Sequence, residues 1–261
     1  MLRKRVIFAL IYDNDQFVQS RNFRHQRVGG LGWLENNYRF RQIAYSIDEL
    51  IVLDATREGR NIEKFARCVN KLSESVFIPL SAGGGIRRME DAEVLFRNGA
   101  DKMVLNTVLY TDRNLVADLS YRYGVQSIVA SVDYRNVGGE RRVFVKNGQE
   151  EVPMPLNEYM DMVCEQKIGE VYLNSIDRDG TGFGYDMETV LPVSETLNVP
   201  LIVAGGAGNA DHLISAISED KVNAVATANL FNFVGDGLPS ARTSMIERGI
   251  NLAQWGEYTK V

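Results

Sequence analysis

Histidine and cysteine are scarce in this sequence of 261 residues, which contains two of each: His25, His212, Cys68 and Cys164. Two cysteines are too few for a disulfide framework, and no grouping of potential ligands has the spacing of a metal site. Both cysteines stand in stretches with helical periodicity, which predicts reduced, buried thiols. We therefore expect no metal, no cofactor and no cysteine–histidine nucleophile.

Positive charge and long apolar runs are lacking as well. The formal net charge is -5, which gives no bulk attraction to nucleic acid or to an anionic membrane surface. No apolar run reaches the roughly 18 residues of a membrane span. The N-terminal MLRKRVIFALIY leads into DNDQ instead of a cleavage site, so it predicts a first strand and not a signal peptide. We expect a cytoplasmic protein without nucleic-acid or membrane partners.

Short β-branched runs alternate with amphipathic stretches along the whole chain. The strands are predicted at 5–12, 49–54, 76–82, 102–106, 127–133, 170–176, 200–205 and 223–228. The helices are predicted at 33–46, 60–74, 89–99, 111–123, 155–168, 187–196, 209–219 and 238–249. Near-continuous apolar strands are typical of a parallel sheet covered on both faces, and eight strand–helix units fit a closed barrel. The fold class is α/β, a (β/α)₈ TIM barrel in a single domain over 1–261.

Two further local patterns accompany the barrel prediction. The segment 141–154 alternates around Asn147-Gly148, which predicts a hairpin with a type I′ turn after strand five. The sequence also repeats itself: Gly84 and Gly206 stand 122 residues apart, and Asn106 and Asn229 stand 123 apart. Asp54 and Asp177 have the same spacing of 123. The repeat predicts a barrel of two similar four-unit halves.

A glycine cluster follows the third strand (SAGGGIR, with Gly84 and Gly85), and a second follows the seventh (VAGGAGN, with Gly205 and Gly206). Glycine lets the backbone approach a ligand closely, and the helix that follows directs N–H groups at an anion. Tight strand-to-helix turns are the alternative explanation. Because the cluster is duplicated where barrel active sites lie, we predict two phosphate cups. The next strands complete them with polar and small residues: Asn106, Thr107, Ala228 and Asn229.

Asp133 ends the fifth strand, where a carboxylate in a barrel predicts acid–base chemistry. The repeat aligns Asp133 with Ile11, so the first strand lacks a matching carboxylate. Asp13 and Asp15 follow in the next loop but fall outside the register position. After the sixth strand, Asp179, Gly180 and Thr181 are candidate contacts to ligand hydroxyls or phosphate.

Several motifs together are specific: DELIVLD, AGGGIR, GADKMVLNT, NSIDRDGTGFGYD and AGGAG. Over essentially its full length the chain resembles the HisF family, the cyclase subunits of imidazole glycerol phosphate synthase. The resemblance implies a phosphate-binding barrel that receives ammonia from a separate HisH-like glutaminase at its N-terminal face. It also implies paired aspartates on strands one and five, of which Asp133 is present and Ile11 replaces the other. Gln19 stands where the family has a substrate-contacting lysine.

The same resemblance implies an ammonia gate at the strand N-termini, formed by Arg5, Glu49, Lys102 and Glu170, with Asp101 beside the glutaminase. A salt-bridge ring that only closes the barrel bottom is the alternative. Asn174 and the non-acidic end of strand one resemble a subgroup that supplies ammonia to a sugar amidotransferase for acetamidino modification of bacterial surface sugars. The aromatic segment 23–40, expected as an extended loop, is a candidate contact for that third protein.

Three functions remain open at this point. The first is an ammonia-conducting subunit for sugar amidination. The second is a working cyclase in which Asp13 or Asp15 replaces the missing aspartate. The third is a non-catalytic scaffold that retains the phosphate sites.

Overall fold

The computed structural model describes residues 3–38, 43, 45–229, 232–233 and 235–254. Twelve strands lie in these residues: β1 (Arg5–Asp13), β2 (Gln16–Arg21), β3 (Arg24–Gly29), β4 (Glu49–Asp54), β5 (Leu80–Gly83), β6 (Lys102–Leu105), β7 (Ile128–Val137), β8 (Glu140–Val145), β9 (Glu150–Pro155), β10 (Glu170–Ser175), β11 (Leu201–Ala204) and β12 (Val222–Thr227). Eight of them pair in parallel in the order β1-β4-β5-β6-β7-β10-β11-β12, and β12 pairs with β1. The sheet is therefore the closed (β/α)₈ barrel that the sequence predicts.

Helices cover the outside of this barrel. Their bounds are α1 (Leu31–Tyr38), α2 (Ile62–Ser75), α3 (Met89–Arg97), α4 (Thr107–Thr111), α5 (Arg113–Tyr123), α6 (Leu156–Cys164), α7 (Met187–Thr196), α8 (Ala210–Ile217) and α9 (Gly237–Glu247). The prediction for 187–196 matches α7 at both ends. Two helices, α4 and α5, include the residues of the predicted helix 111–123. They are separate because Asp112 ends α4 and caps the N-terminus of α5. Residues 39–42 and 44 of the predicted helix 33–46 lie outside the described residues.

Two antiparallel extensions, β1–β2–β3 and β7–β8–β9, continue the barrel strands beyond the C-terminal edge of the barrel. β1 continues into β2 and β3, so the segment 23–40, expected as an extended loop, begins with a strand and continues into α1. β7 continues past Asp133 and turns at Gly138-Gly139, whose positive φ angles suit a two-residue turn, into β8. The β8–β9 hairpin lies where predicted, and residues 146–149 connect its strands. The φ angles of Asn147 and Gly148 are +57° and +73°, and Gln149 N donates to Lys146 O at 3.3 Å, which is the pattern of the predicted type I′ turn.

The core has two layers separated by the sheet. The larger cluster packs the helices on the outside of the strands, where Phe65, Leu95 and Leu213 are fully buried. The smaller cluster fills the barrel interior with residues from alternate strand positions, among them Ile7, Ile51 and Ile202. Among the described residues, no helix has the length and apolar character that a membrane crossing needs.

Candidate functional site

A cavity of about 690 Å³ opens at the C-terminal ends of the barrel strands. Twelve residues selected from the sequence line it: Ile11, Gly84, Gly85, Asn106, Thr107, Asp133, Asp179, Gly180, Gly205, Gly206, Ala228 and Asn229. Residues from both halves of the chain thus meet at one mouth, as the repeat predicts.

The first cup is built around Gly84, the residue after β5. Its φ of +105° favours glycine, and a Cβ at this position would lie 2.2 Å from the backbone oxygen of Asp54. The part of the loop next to α3 does not offer its N–H groups to an anion, because Arg87 N and Arg88 N donate to Asp91 Oδ2 at 2.9 and 3.2 Å. An anion in this cup would be held by the loop backbone around Gly84 and Gly85.

The second cup repeats this construction at Gly206, with φ +117° and a Cβ position 2.1 Å from Gly184 O. The helix after it is capped as well, since His212 N donates to Asn209 Oδ1 at 3.0 Å and Gly208 N to His212 Nδ1 at 3.2 Å. In both halves, therefore, side chains cap the helix and the glycine loop faces the cavity.

The two cups differ in charge. Four basic side chains line the cavity on the side of the first cup: Arg57, Arg60, Arg87 and Lys146. Among the described residues, the lining contributed by 205–207 and 226–229 contains no lysine or arginine. The first cup is therefore the more favourable site for a highly charged anion.

Asp133 lies at the cavity floor, held between two carboxamides. Asn174 Nδ2 donates to Oδ1 at 2.9 Å and Asn106 Nδ2 to Oδ2 at 3.1 Å. Burial raises the pKa of Asp133 to about 7, although the hydrogen bond from Asn174 works in the opposite direction. A carboxyl group with this pKa can give or accept a proton near neutral pH.

Ile11 lies across the barrel from Asp133, because β1 and β7 are four strands apart in a sheet of eight. Ile11 lines the cavity, whereas Asp13 and Asp15 are not among its lining residues. Asp15 forms an ion pair with Lys64 and accepts a hydrogen bond from the Tyr12 hydroxyl at 2.9 Å. Neither carboxylate occupies the place that an aspartate at position 11 would have.

Asp179 holds the β2–β3 hairpin against the mouth. Its Oδ2 accepts hydrogen bonds from Ser20 Oγ at 2.5 Å and Phe23 N at 3.1 Å, and burial raises its pKa. Gly180 lines the cavity with its backbone under Ser20. Thr181 does not line the cavity, and its hydroxyl donates to Arg178 O at 2.8 Å.

A ring of charged side chains closes the opposite end of the barrel. Arg5 Nη1 lies 2.9 Å from Glu49 Oε2, and Arg5 Nη2 pairs with Glu170. Lys102 Nζ lies 3.0 Å from Glu49 and 2.6 Å from Glu170. Burial opposes ionisation of Glu170, yet Arg5 and Lys102 hold its pKa below its ordinary value. All four residues predicted for this gate are brought together; we call them the ion-pair ring.

Sequence reasoning missed several cavity residues. Arg60 lies over Gly85, and His25 and Lys146 reach the mouth from the two hairpins. Tyr172 lies at the floor; its position two residues after Glu170 and two before Asn174 was a signal available in the strand alternation. The hairpin residues carried no such signal because their placement depends on tertiary contacts.

The fold is a (β/α)₈ barrel whose cavity at the strand C-termini holds a buried carboxyl group of raised pKa, with a glycine loop from each half in its lining. The chain matches the model of the histidine biosynthesis protein family over residues 5–235 and belongs to that family. It is 44% identical, over 98% of its length and 95% of the relative's, to a Parasynechococcus marenigrum protein provisionally named imidazole glycerol phosphate synthase subunit hisF2. Imidazole glycerol phosphate synthase subunit HisF of Chloroherpeton thalassium is 35% identical, over 96% of this chain and 98% of that protein.

Proposed function

We propose that this chain is a HisF-type synthase subunit that receives ammonia from a separate glutaminase and carries it through the barrel to the mouth. One observation carries the proposal. The ion-pair ring lies at one end of the barrel, and the cavity that contains Asp133 opens at the other end of the same barrel. The four ring residues share the strand N-termini, and Asp133 ends β7. The resemblance to HisF subunits supports the same arrangement.

The ammonia must come from another chain. Release of ammonia from glutamine requires an activated nucleophile, usually a thiolate. Burial raises the pKa of Cys68 to about 12 and also raises that of Cys164, and neither residue lines the cavity. A HisH-like glutaminase at the N-terminal face of the barrel is the partner with the required chemistry.

The ammonia serves, in this proposal, to convert an acetamido sugar into an acetamidino sugar in surface-glycan biosynthesis. Ile11 is the reason: an aliphatic side chain cannot exchange protons, and losing an acid–base group costs about 10² to 10⁴ in rate. Amidination places the nitrogen of ammonia where the amide oxygen was, with net loss of one water. A nucleoside triphosphate bound by a separate sugar amidotransferase would activate that oxygen, so the barrel needs to supply only ammonia.

A phosphate-bearing small molecule is the proposed ligand of the mouth. Arg60, Arg87 and Lys146 favour its more highly charged end at the first cup, and the backbone around Gly206 accommodates the other end. Occupation of both cups would place this ligand across the mouth, above Asp133.

A second candidate function is the imidazole glycerol phosphate synthase cyclase reaction, favoured by the names of the HisF relatives. The test is to supply the purified chain with the aminoimidazole nucleotide substrate and excess ammonium salt. We expect no turnover, and partial turnover after Ile11→Asp. Turnover of the unaltered chain at ordinary enzyme rates would refute the amidination proposal.

Amidination itself is tested with the chain, a glutaminase and a sugar amidotransferase, using glutamine labelled at the amide nitrogen. We expect the label in the amidine of the sugar product, with label transfer lost when the chain is omitted. A chain that neither binds a glutaminase nor stimulates glutamine hydrolysis would be a scaffold, and both catalytic proposals would fail.

A further inference from the structure

An aromatic side chain lies in the barrel interior between the ion-pair ring and the cavity. Tyr172 alternates along β10 with Glu170 and Asn174, so all three side chains project inward. Glu170 belongs to the ion-pair ring, and Asn174 donates to Asp133 at the cavity floor. Tyr172 therefore lies at an intermediate level of the barrel axis.

Tyr172 is the largest member of the interior cluster. The other buried members described there are aliphatic: Ile7, Ala9, Ile51, Val104, Val129, Ile202, Ala204, Ala224 and Ala226. Four of these are alanines, which leave room for one large ring in a close-packed interior. The phenol ring thus fills space that larger side chains from β1, β11 and β12 would otherwise occupy.

The cavity ends at the interior cluster, where Tyr172, Val104 and Ala226 form part of its lining. Tyr172 lines the cavity although only 4% of its surface is exposed. Ile7, Ile51 and Ile202 are 0% exposed and are not among the cavity-lining residues. Packed side chains therefore separate the cavity from the ion-pair ring, and the barrel interior is closed at two levels.

We propose that Tyr172 is an inner gate, whose side chain must turn aside before ammonia can pass from the ion-pair ring into the cavity. This inference rests on the proposed route of ammonia through the barrel. An apolar layer of this kind excludes ammonium, because an unpaired charge is costly to bury, and leaves neutral ammonia as the form that passes. The cavity that Tyr172 lines offers the space into which its side chain can turn.

The phenol hydroxyl is also a polar group at the boundary between the apolar interior and the cavity. Burial raises the pKa of Tyr172, and the negative charges of Asp133 and Asp179 raise it further. The hydroxyl therefore keeps its proton at neutral pH and can donate a hydrogen bond to the ammonia lone pair. Tyr172→Phe removes this donor and keeps the ring, which separates the two roles.

The closure is tested without any activity by pressurising crystals of the full-length chain with xenon, which occupies dry apolar cavities. We expect xenon inside the barrel of Tyr172→Ala, between the ion-pair ring and the cavity, and none there in the unaltered chain or in Tyr172→Phe. Xenon at that place in the unaltered chain, or its absence from Tyr172→Ala, would overturn the inner gate.

The role in ammonia transfer is tested by comparing product formation driven by glutamine in the glutaminase complex with that driven by ammonium salt, which enters from the mouth. Tyr172→Trp enlarges the gate and should lower the glutamine-driven rate about tenfold more than the ammonium-driven rate. Tyr172→Phe should keep the ratio of the unaltered chain. Equal losses in Tyr172→Trp would overturn the gate. If the unaltered chain forms no product from glutamine in the complex, the proposed function is refuted instead. The xenon experiment would still decide whether Tyr172 closes the barrel interior.

Discussion

Asp133 combines two opposing influences in one carboxyl group. Burial favours its neutral form, while the amide donors of Asn174 and Asn106 favour its charged form. The resulting pKa of about 7 means that both forms are well populated at neutral pH. A group with this behaviour is suited to proton exchange with a ligand, whether or not a second carboxylate is present.

Removing one of these donors should shift the balance in a known direction. Asn174→Ala deletes the hydrogen bond to Oδ1, and we expect the pKa of Asp133 to rise by about one unit, since hydrogen bonds to charged groups contribute about 1.5 kcal/mol. Carboxyl carbon chemical shifts followed by NMR titration measure the change. Asn98→Ala is the matched control, because Asn98 donates to Val94 O on α3. An unchanged pKa in Asn174→Ala would contradict the assignment.

The same carboxyl group predicts a pH dependence of stability. Its pKa of about 7 in the folded chain exceeds the roughly 3.9 of an unfolded aspartate, so the folded chain binds more protons between these values. This group's contribution to stability is therefore present at low pH and is lost as pH rises from about 4 to about 7. Urea unfolding at several pH values should show this loss in the unaltered chain and its absence in Asp133→Asn. Parallel profiles for the two proteins would contradict it.

At the scale of single elements, strand ends determine the site more than helix ends do. Gly84 follows β5 with a φ angle of +105°, and the backbone of Asp54, at the end of β4, passes directly against it. Gly59 also has a positive φ, +68°, but a Cβ there would meet no atom within 4 Å. The two glycines share a backbone conformation and differ in the space around them.

Substitution of these two glycines should separate conformational strain from steric overlap. Gly59→Ala should cost about 1 kcal/mol of unfolding free energy, because only the backbone conformation is disfavoured. Gly84→Ala should cost about 3 kcal/mol or more, since its Cβ would also overlap Asp54 O. Urea unfolding measures both free energies. Calorimetric titration with inorganic phosphate measures the phosphate affinity of the first cup. Equal costs, or phosphate affinity preserved in Gly84→Ala, would argue against the cup as described.

Elements with a regular pattern were predictable, and those fixed by distant contacts were not. Strand β4 matches its predicted bounds. The four charged residues that the family resemblance implied, Arg5, Glu49, Lys102 and Glu170, lie together in the ion-pair ring. β5 begins at Leu80 and not at 76, because Pro79 has no N–H for the sheet. The β2–β3 hairpin is polar and is held by Asp179, which is distant in sequence. Its position, and therefore that of His25, requires the tertiary structure.

At the scale of the whole molecule, each end of the barrel has an exposed phenylalanine side chain. Phe77 precedes β5 and lies on the N-terminal face, where 98% of its surface is exposed. Phe183 follows β10 on the C-terminal side and is 73% exposed. Large exposed aromatic side chains are frequent anchors of protein interfaces. The proposed glutaminase binds the N-terminal face, so the two residues should respond differently to its presence.

Phe77→Ser should weaken binding of the glutaminase by at least about tenfold, because loss of an aromatic anchor commonly costs more than 1.4 kcal/mol. It should leave the midpoint of thermal unfolding of the free chain nearly unchanged, since its exposed ring contributes little to the core. Phe183→Ser is the matched control, with the same change on the opposite face and no expected loss of binding. Calorimetric titration of each variant with the glutaminase decides between the two faces. Equal affinities of the two variants would place the glutaminase elsewhere. A loss of affinity confined to Phe183→Ser would place it at the mouth.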